Sequence, residues 1–268
     1  MSYNRFKKLM NLETKNYLRF AIVEVILVVA GILIALQVNN WNEKRKEKVE
    51  EKKILLSLHN EISNNLINLQ VVIDEKNKII DANKFIIENT GRNGEWMSKK
   101  PLDSLMNYIS ISGWIFIPQN GVLDEIINSG KLLIIENNLI KNEIASLPQL
   151  LRLVVEEDRQ YRLDLHQYFL PFISKKYSLI EITSYRDLLE NYSFEMGETN
   201  FQKSQSELLG NREFENILTI QSIWIKFSNE MSINQRLKYI KIQKLIEIEY
   251  PDVNFKNLRE NLEREFFG

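Results

Sequence analysis

The chain contains no cysteine and few residues that break helices, with nine glycines and five prolines in 268 residues. The missing thiol excludes disulfide bonds, thiolate metal ligands and a cysteine nucleophile. Because glycine and proline punctuate the turns between short elements, their scarcity favours long helices over many short strands. We therefore predict an all-α fold.

The chain also lacks an excess of charge of either sign, since it has 35 basic and 36 acidic residues and a net charge of -1. Proteins that bind the nucleic-acid backbone usually carry a basic excess on one face. We therefore expect no nucleic-acid partner. Hydrophobic residues make up 44% of the chain and charged residues 26%, which is typical of a folded protein.

Motifs that carry known chemistry are missing as well. The only two histidines, His59 and His166, are not in a metal-ligand spacing such as H-E-x-x-H, and we interpret both as members of charged helical faces. No nucleophile-elbow, P-loop or dinucleotide-binding motif is present. Glu156, Glu157 and Asp158 are adjacent, so they point in different directions on a helix, and we interpret them as a solvated face. We predict no enzyme activity, no catalytic residue, no cofactor and no metal.

One long apolar run is present, from Phe20 to Leu36, and Glu24 is its only polar side chain. At about 1.5 Å per residue, the run and its flanks cover the roughly 30 Å of a bilayer core. The alternative, a core helix of a soluble protein, would show a polar stripe. The run is too long for a cleaved signal peptide and no cleavage site follows it. We predict a transmembrane helix over residues 17–41 that acts as an uncleaved signal anchor, with the lipid bilayer as its partner.

Small residues and the one acid share a face of this predicted helix. Glu24, Gly31 and Ala35 are separated by steps of seven and four, which place them on one side. Gly31 and Ala35 form a small-xxx-small pair that lets a second helix approach closely. Glu24 is either a helix-packing or proton-linked site, or a side chain that reaches the headgroups, because a carboxylate facing lipid is costly.

Polar and aromatic residues follow the apolar run at its far end: Gln37, Asn39, Asn40 and Trp41. An indole ring prefers the membrane interface, and amides there form hydrogen bonds between helices or to headgroups. These four residues either contribute to helix packing or are simply polar residues at the membrane interface, and the sequence does not decide between the two.

Residues 42–268 predict an extramembrane domain made of long helices in a bundle-like arrangement. Apolar residues spaced by three, four and seven predict one helix over residues 42–90, with further helices over about 122–170 and about 211–250. A helix of this length suggests a coiled coil. Lys76, however, interrupts the apolar stripe, which favours a helix packed inside a bundle.

Local signals place the ends of several elements. Residues 1–16 predict a short basic tail, and Asn137 predicts the N-cap of a helix. Pro171 predicts a helix end, and Pro251 ends the last long helix. The apolar run 113–118 is too short to cross a membrane, so we expect it to plug the domain core.

Basic residues flank the predicted span in nearly equal numbers, so the positive-inside rule does not decide the orientation. A large domain behind a single anchor can cross the membrane largely regardless of charge. We therefore expect a single-pass protein of the bacterial inner (cytoplasmic) membrane, with the C-terminal domain in the periplasm.

The run VEVILVVAGILIALQVNNWNEKRK, from Val23 to Lys46, resembles the signature of an uncharacterised bacterial family of single-span membrane proteins, E-x-x-L-V-V-x-G-I-L-I-A-L-Q-x-N-N-W-N. Asn128 to Leu147 and Leu208 to Leu218 are similar to later stretches of that family. Val23 departs from the glycine that family members often have there. The resemblance implies a membrane anchor with a helical domain, and it implies no reaction.

Together these features predict a membrane-anchored helical scaffold or protein-interaction protein that associates with itself or with another membrane protein. Two alternatives use the same parts. One is an extracytoplasmic sensor or transducer subunit, in which a ligand shifts the membrane helix. The other is a proton-linked membrane subunit that uses Glu24.

Overall fold

The computed structural model describes residues 3–91, 99–111, 114–183, 197, 199–201 and 205–255. No strand occurs among these residues, which confirms the all-α prediction. The α-helices are α1 (Tyr3–Glu88), α2 (Lys99–Ile111), α3 (Gly121–Asn128), α4 (Asn138–Asp164), α5 (Leu170–Lys176), α6 (Leu179–Thr183), α7 (Gln205–Leu209) and α8 (Arg212–Glu249). A 3₁₀ turn covers Lys131–Ile134, and a π-helical turn covers Leu165–Phe169.

The chain divides into two units, Met1–Ile54 and Leu55–Gly268. The described residues of the first, which we call the N-terminal unit, all belong to α1. The second, the C-terminal unit, contains the rest of α1 and all later helices.

Hydrogen bonds define how α1 and α8 run in the C-terminal unit. Gln243 Nε2 of α8 donates to Ser63 Oγ of α1 at 2.7 Å, and Lys76 Nζ donates to Ser232 Oγ at 2.9 Å. Because the α8 partner moves toward the N-terminus as the α1 residue moves toward the C-terminus, the two helices are antiparallel.

Helix α4 also runs antiparallel to α8. Asn137 Nδ2, at the start of α4, donates to Glu249 Oε2 at the end of α8. Farther along, Ser228 Oγ donates to Asp158 Oδ1 at 2.6 Å. The parts of α1 and α4 inside this unit are therefore parallel to each other.

An apolar core joins these helices to α2, the π-helical turn and α5. Its buried members come from helical positions that repeat at three and four residues, as expected for faces turned toward a core. They include Ile79, Ala82, Ile86, Leu102, Met106, Ile109, Tyr161, Leu165, Phe169, Phe172, Ile173, Phe214, Leu218 and Ile225.

Asparagine caps start two of the long helices. Asn137 Oδ1 accepts hydrogen bonds from Leu139 N at 3.0 Å and Ile140 N at 3.4 Å, which confirms the predicted N-cap. Asn211 caps α8 in the same way. Such caps satisfy backbone N–H groups that have no partner within the helix.

Pro148 and Pro171 both lie within helices, and for Pro171 this differs from the prediction. Pro148 lies inside α4, and the helix continues to Asp164. Pro171 does not end a helix: it lies in the first turn of α5, which continues to Lys176. A proline fits there because the first N–H groups of a helix need no intrahelical acceptor.

The segment 114–120 is held by side chains of α1. Asn65 and Gln119 exchange two hydrogen bonds of 2.7 and 2.8 Å. Phe116 is buried, as expected for a plug, whereas Ile117 is 73% exposed, so the plug prediction was wrong for Ile117.

Candidate functional site

The apolar segment of the N-terminal unit exposes its side chains on every face. The described part of α1 from Phe20 onward contains an 18-residue window that is apolar enough to cross a membrane, and 0% of that window is buried. Large hydrophobic side chains exposed there are Phe20, Ile22, Val23, Val25, Ile26, Leu27, Val28, Val29, Ile32, Leu33, Ile34, Leu36, Val38 and Trp41. The prediction of a long apolar N-terminal helix is confirmed.

Three of the predicted site residues share a face of this segment. At 3.6 residues per turn, Glu24, Gly31 and Ala35 lie within one side of the helix. A Cβ atom added at Gly31 would meet no atom within 4 Å, so this face is open. All three residues are exposed.

The other four predicted residues do not form one group with that face. Gln37, Asn40 and Trp41 lie on other sides of the helix by the same helical spacing, and all are exposed. Asn39 lies closer to the Glu24 face, and its Nδ2 donates to Glu43 Oε1 at 3.0 Å. This contact satisfies the Asn39 amide within its own helix, and the sequence interpretation missed it.

The C-terminal unit contains a buried ion pair that sequence reasoning did not predict. Lys76 Nζ lies 2.5 Å from Asp158 Oδ1, and their side chains are 0% and 3% exposed. Lys76 also donates to Ser232 Oγ at 2.9 Å, and Asp158 Oδ2 accepts from Phe116 N at 2.7 Å. Ser228 Oγ donates to Asp158 Oδ1. We call this the Lys76–Asp158 pair.

This geometry corrects the interpretation of the acidic triplet as a solvated face. Glu156 is exposed and Glu157 is half-buried, but Asp158 is buried. A carboxylate at that depth is costly unless it is paired and hydrogen-bonded. The partner lies 82 residues away on α1, where Lys76 interrupts an apolar stripe. That interruption was the only sequence signal of the pair.

Burial lowers the pKa of Lys76 from its ordinary value, and the neighbouring Asp158 opposes that change. The carboxylate therefore helps to keep the ammonium charged. Both charged groups are enclosed, so neither reaches a substrate in solvent. The pair can orient α1 and α4, and it has no open side on which to perform catalysis.

His59 is also buried, contrary to its interpretation as part of a charged face. Its Nε2 lies 3.1 Å from Glu247 Oε1 of α8, and its ring centroid lies 4.5 Å from that of Phe255. The other histidine, His166, is exposed as expected. Among the described residues, no group of three or more His, Cys, Asp or Glu side chains could hold a metal ion.

The inner face of α8 is more polar than its sequence pattern predicted. Its buried residues include Gln221, Ser228, Asn229, Ser232, Gln235 and Gln243. Several isoleucines and leucines of α8 are about half exposed or more: Ile220, Ile223, Leu237 and Ile248. Ser228, Ser232 and Gln243 form hydrogen bonds with α1 and α4, which compensates the cost of burying them. The side-chain oxygens of Gln221 and Asn229 have no partner among the described residues.

An open cleft of about 710 Å³ lies between the segment 118–124 and α4. Pro118, Leu123 and Leu151 contribute apolar surface, and Arg152 and Glu156 contribute charges of opposite sign. A cleft this open offers a surface for contact and does not enclose a small substrate.

Comparison with known proteins relates part of the chain to a family. No curated protein and no solved structure matches the chain. A family match begins at Glu24, includes the Asn128–Leu147 stretch, and ends before Leu208–Leu218. Residues 24–151 match a family described as a family of unknown function, DUF6090.

Proposed function

We propose that this protein is a membrane-anchored, non-enzymatic helical scaffold that associates with itself or with other membrane proteins. The observation that carries the proposal is the apolar segment of the N-terminal unit, none of whose membrane-length window is buried by the chain itself. Burial of one large apolar side chain contributes about 1.5–3 kcal/mol. Because more than ten such side chains are exposed on one helix, a lipid environment is strongly favoured over water.

The proposed anchor is a single-pass helix over residues 17–41 in the bacterial inner membrane. The proposed C-terminal domain is a helical bundle in the periplasm, for which the antiparallel packing of α8 on α1 and α4 is the structural support. The scaffold role is supported by the enclosed Lys76–Asp158 pair and by the open cleft, because neither presents a reactive group to an enclosed substrate.

Fractionation of cells that express the full-length chain tests the anchor. We expect the protein in the membrane fraction, resistant to extraction by alkaline carbonate and released by mild detergent. Recovery of the intact chain in the soluble fraction without detergent would contradict the proposal.

For orientation, an Asp252→Cys variant labelled by an impermeant thiol reagent in cells with a permeabilised outer membrane should react if its domain is periplasmic.

Self-association is tested by disulfide crosslinking on the Glu24–Gly31–Ala35 face. The native chain has no cysteine, so Ala35→Cys and Leu33→Cys each carry one thiol. These two positions lie on opposite sides of the helix. We expect disulfide dimers of Ala35→Cys in oxidised native membranes and few of Leu33→Cys. Equal crosslinking at both positions, or none at either, would exclude this face as the interface.

Glu24 favours one second candidate, a proton-linked membrane subunit. Its side chain is exposed within the apolar segment and makes no ion pair among the described residues. A carboxyl group in that environment marks a proton or helix-packing site by default. Glu24→Gln keeps the shape and removes the ionisable group. If the variant still forms the Ala35→Cys crosslink but loses the cellular phenotype of the intact protein, the proton-linked role is supported; an unchanged phenotype excludes it.

A further inference from the structure

The charged residues that follow the apolar segment of α1 are sorted by sign around the helix. In a helix of about 3.6 residues per turn, one group of side chains occupies about 100° of the circumference. This group, which we call the Trp41–Lys48 face, consists of Trp41, Lys44, Arg45 and Lys48. The acidic residues among them occupy a separate sector of about 60°: Glu43, Glu47 and Glu50. One side of the helix is therefore basic and another side is acidic.

The Trp41–Lys48 face belongs to the N-terminal unit, and its side chains are accessible. Trp41 is 67% exposed, and the three basic side chains are exposed as well. Arg45 Nη2 donates to Asn42 Oδ1 at 3.4 Å, which engages one of the five N–H donors of the guanidinium group. The face thus presents an aromatic ring and three cations to its surroundings.

This face lies where a bilayer spanned by the apolar segment would end. A tryptophan that follows a membrane-length apolar run prefers the level of the lipid headgroups. At about 1.5 Å per residue, the three basic residues follow Trp41 by about 4 to 11 Å along the helix axis. That distance is comparable to the screening length of about 8 Å at physiological ionic strength. Long basic side chains also bend toward the membrane interface, which brings their charges closer to it.

Resting on the membrane anchor of the proposed function, we infer that the Trp41–Lys48 face binds the headgroups of anionic phospholipids. The guanidinium group of Arg45 matches two oxygens of a phosphate with a pair of N–H donors, and the lysines bind as point charges. Basic residues directly beside a membrane span attract anionic lipids in this way. Because the acidic residues lie in another sector, a lipid against this face meets positive charge only.

A second copy of the chain fits this face less well. Two anchors in one membrane would pair as parallel helices, and the face would then meet its own basic residues, which repel one another. The Glu24–Gly31–Ala35 face is centred about 100° around the helix from Trp41. Helix association on that face and headgroup binding on this one are therefore compatible.

The inference is tested with the full-length chain reconstituted into bilayers that contain trace amounts of spin-labelled phosphatidylglycerol or phosphatidylcholine. Electron paramagnetic resonance measures the fraction of each labelled lipid that the protein immobilises. We expect the anionic lipid to associate roughly three-fold more strongly than the neutral lipid at about 0.1 M salt. In about 1 M salt, where the screening length is about 3 Å, the preference should fall toward equality.

A triple variant and a matched control locate the effect. The triple variant Lys44→Gln, Arg45→Gln and Lys48→Gln removes the three charges of the face, and we expect its preference for the anionic lipid to fall by about two-fold or more. The control removes three exposed lysines of the C-terminal unit, with the changes Lys84→Gln, Lys175→Gln and Lys226→Gln. It should keep the wild-type preference. Basic residues before the apolar run are the same in both proteins, so the difference between them reports on the face alone.

Three results would overturn the inference. The first is equal association of the two lipids with the wild type at about 0.1 M salt. The second is a triple variant whose preference equals that of the control. The third is a triple variant that keeps the lipid preference but loses the Ala35→Cys crosslink, which would make a second copy the occupant of the face.

The anchor itself is judged separately. Because the apolar segment is unchanged in all of these proteins, each should incorporate into bilayers and resist alkaline extraction. A wild type that does not incorporate would contradict the membrane anchor and this inference with it. A wild type that incorporates but does not distinguish the two lipids would contradict only the headgroup site.

Discussion

The apolar segment of α1 and the middle of α8 distribute polarity in opposite ways. In residues 20–36, apolar side chains cover all faces of a helix and remain exposed. In α8, Ser228, Ser232 and Gln243 are buried while Ile223 and Phe227 are about half exposed. The many isoleucines, leucines and valines predict a helix in both regions. They do not predict which side chains of that helix are buried.

The difference has a physical origin. A helix surrounded by lipid needs no polar partner for its side chains, so an unbroken apolar surface is favourable. A helix that packs between other helices can bury polar groups wherever neighbouring helices supply partners. In the C-terminal unit, Lys76, Asp158 and Ser232 supply such partners to one another.

The largest expected effect comes from removing the buried ammonium group of Lys76. Lys76→Met leaves Asp158 buried without its cation, and we expect the free energy of unfolding to fall by about 3–5 kcal/mol. Thermal or urea unfolding of the full-length chain in mild detergent measures the change. The double variant Lys76→Met with Asp158→Leu should recover most of the loss, because it removes the uncompensated charge. A single variant that costs under about 1 kcal/mol would show that the pair is not enclosed.

The second prediction tests the apolar segment of α1 by placing a charge in it. Leu33→Arg places a cation near the middle of the apolar segment, which costs about 2.5–3.5 kcal/mol for insertion into a bilayer. We expect a clear loss of the protein from the membrane fraction after alkaline extraction, measured by immunoblot. Leu33→Phe keeps the segment apolar and serves as the control. Equal retention of Leu33→Arg and Leu33→Phe would be evidence against a lipid environment.

The third prediction concerns pH and the buried carboxyl group of Asp164 in α4. Burial raises the pKa of Asp164 from 3.8 to about 6, so the folded chain holds this proton more tightly than the unfolded chain. The stability from protonation is present below about pH 4 and is lost as pH rises through about 6. We expect a loss of about 1–3 kcal/mol across that window.

Unfolding measured from pH 4 to pH 8 checks this prediction, and Asp164→Asn is the matched variant. The difference in stability between wild type and variant should change by that amount between the two ends of the range. A difference that is independent of pH would mean that Asp164 has an ordinary pKa and is solvated.

The smallest expected effect lies at a helix end. Asn211→Ala removes the oxygen that accepts from Glu213 N and Phe214 N at the start of α8, and caps of this type contribute about 1 kcal/mol. Thermal unfolding should show a modest decrease in Tm, and Asn211→Asp should restore most of it. Arg159→Ala, which removes an exposed ion pair with Glu156, should leave the Tm unchanged.

Local patterns were sufficient for the features that depend on neighbours in sequence. Asn137 caps α4 because its side chain reaches N–H groups two and three residues away. Gly130 has a φ of 76° ahead of the 3₁₀ turn, a conformation that glycine adopts without steric cost. Pro171 shows the limit of this reasoning, because proline is compatible with both the end of one helix and the first turn of the next.

Contacts between distant residues could not be predicted in the same way. His59 meets Glu247 across 188 residues, and Asn65 meets Tyr239 across 174. Nothing in either local sequence identifies its partner, since a histidine or an asparagine on a helix suits a solvated face equally well. Among the predicted site residues, only the shared face of Glu24, Gly31 and Ala35 followed from spacing alone.

The sequence by itself determined the all-α character and the long apolar helix near the N-terminus, because composition and helical spacing act within a few residues. Tertiary structure alone decided which polar side chains are buried, and these include Lys76, Asn83, Asp158, Asp164 and Gln221. The reason is that the cost of burying a polar group depends on what other helices bring to it, and that is set by the packing of segments far apart in the chain.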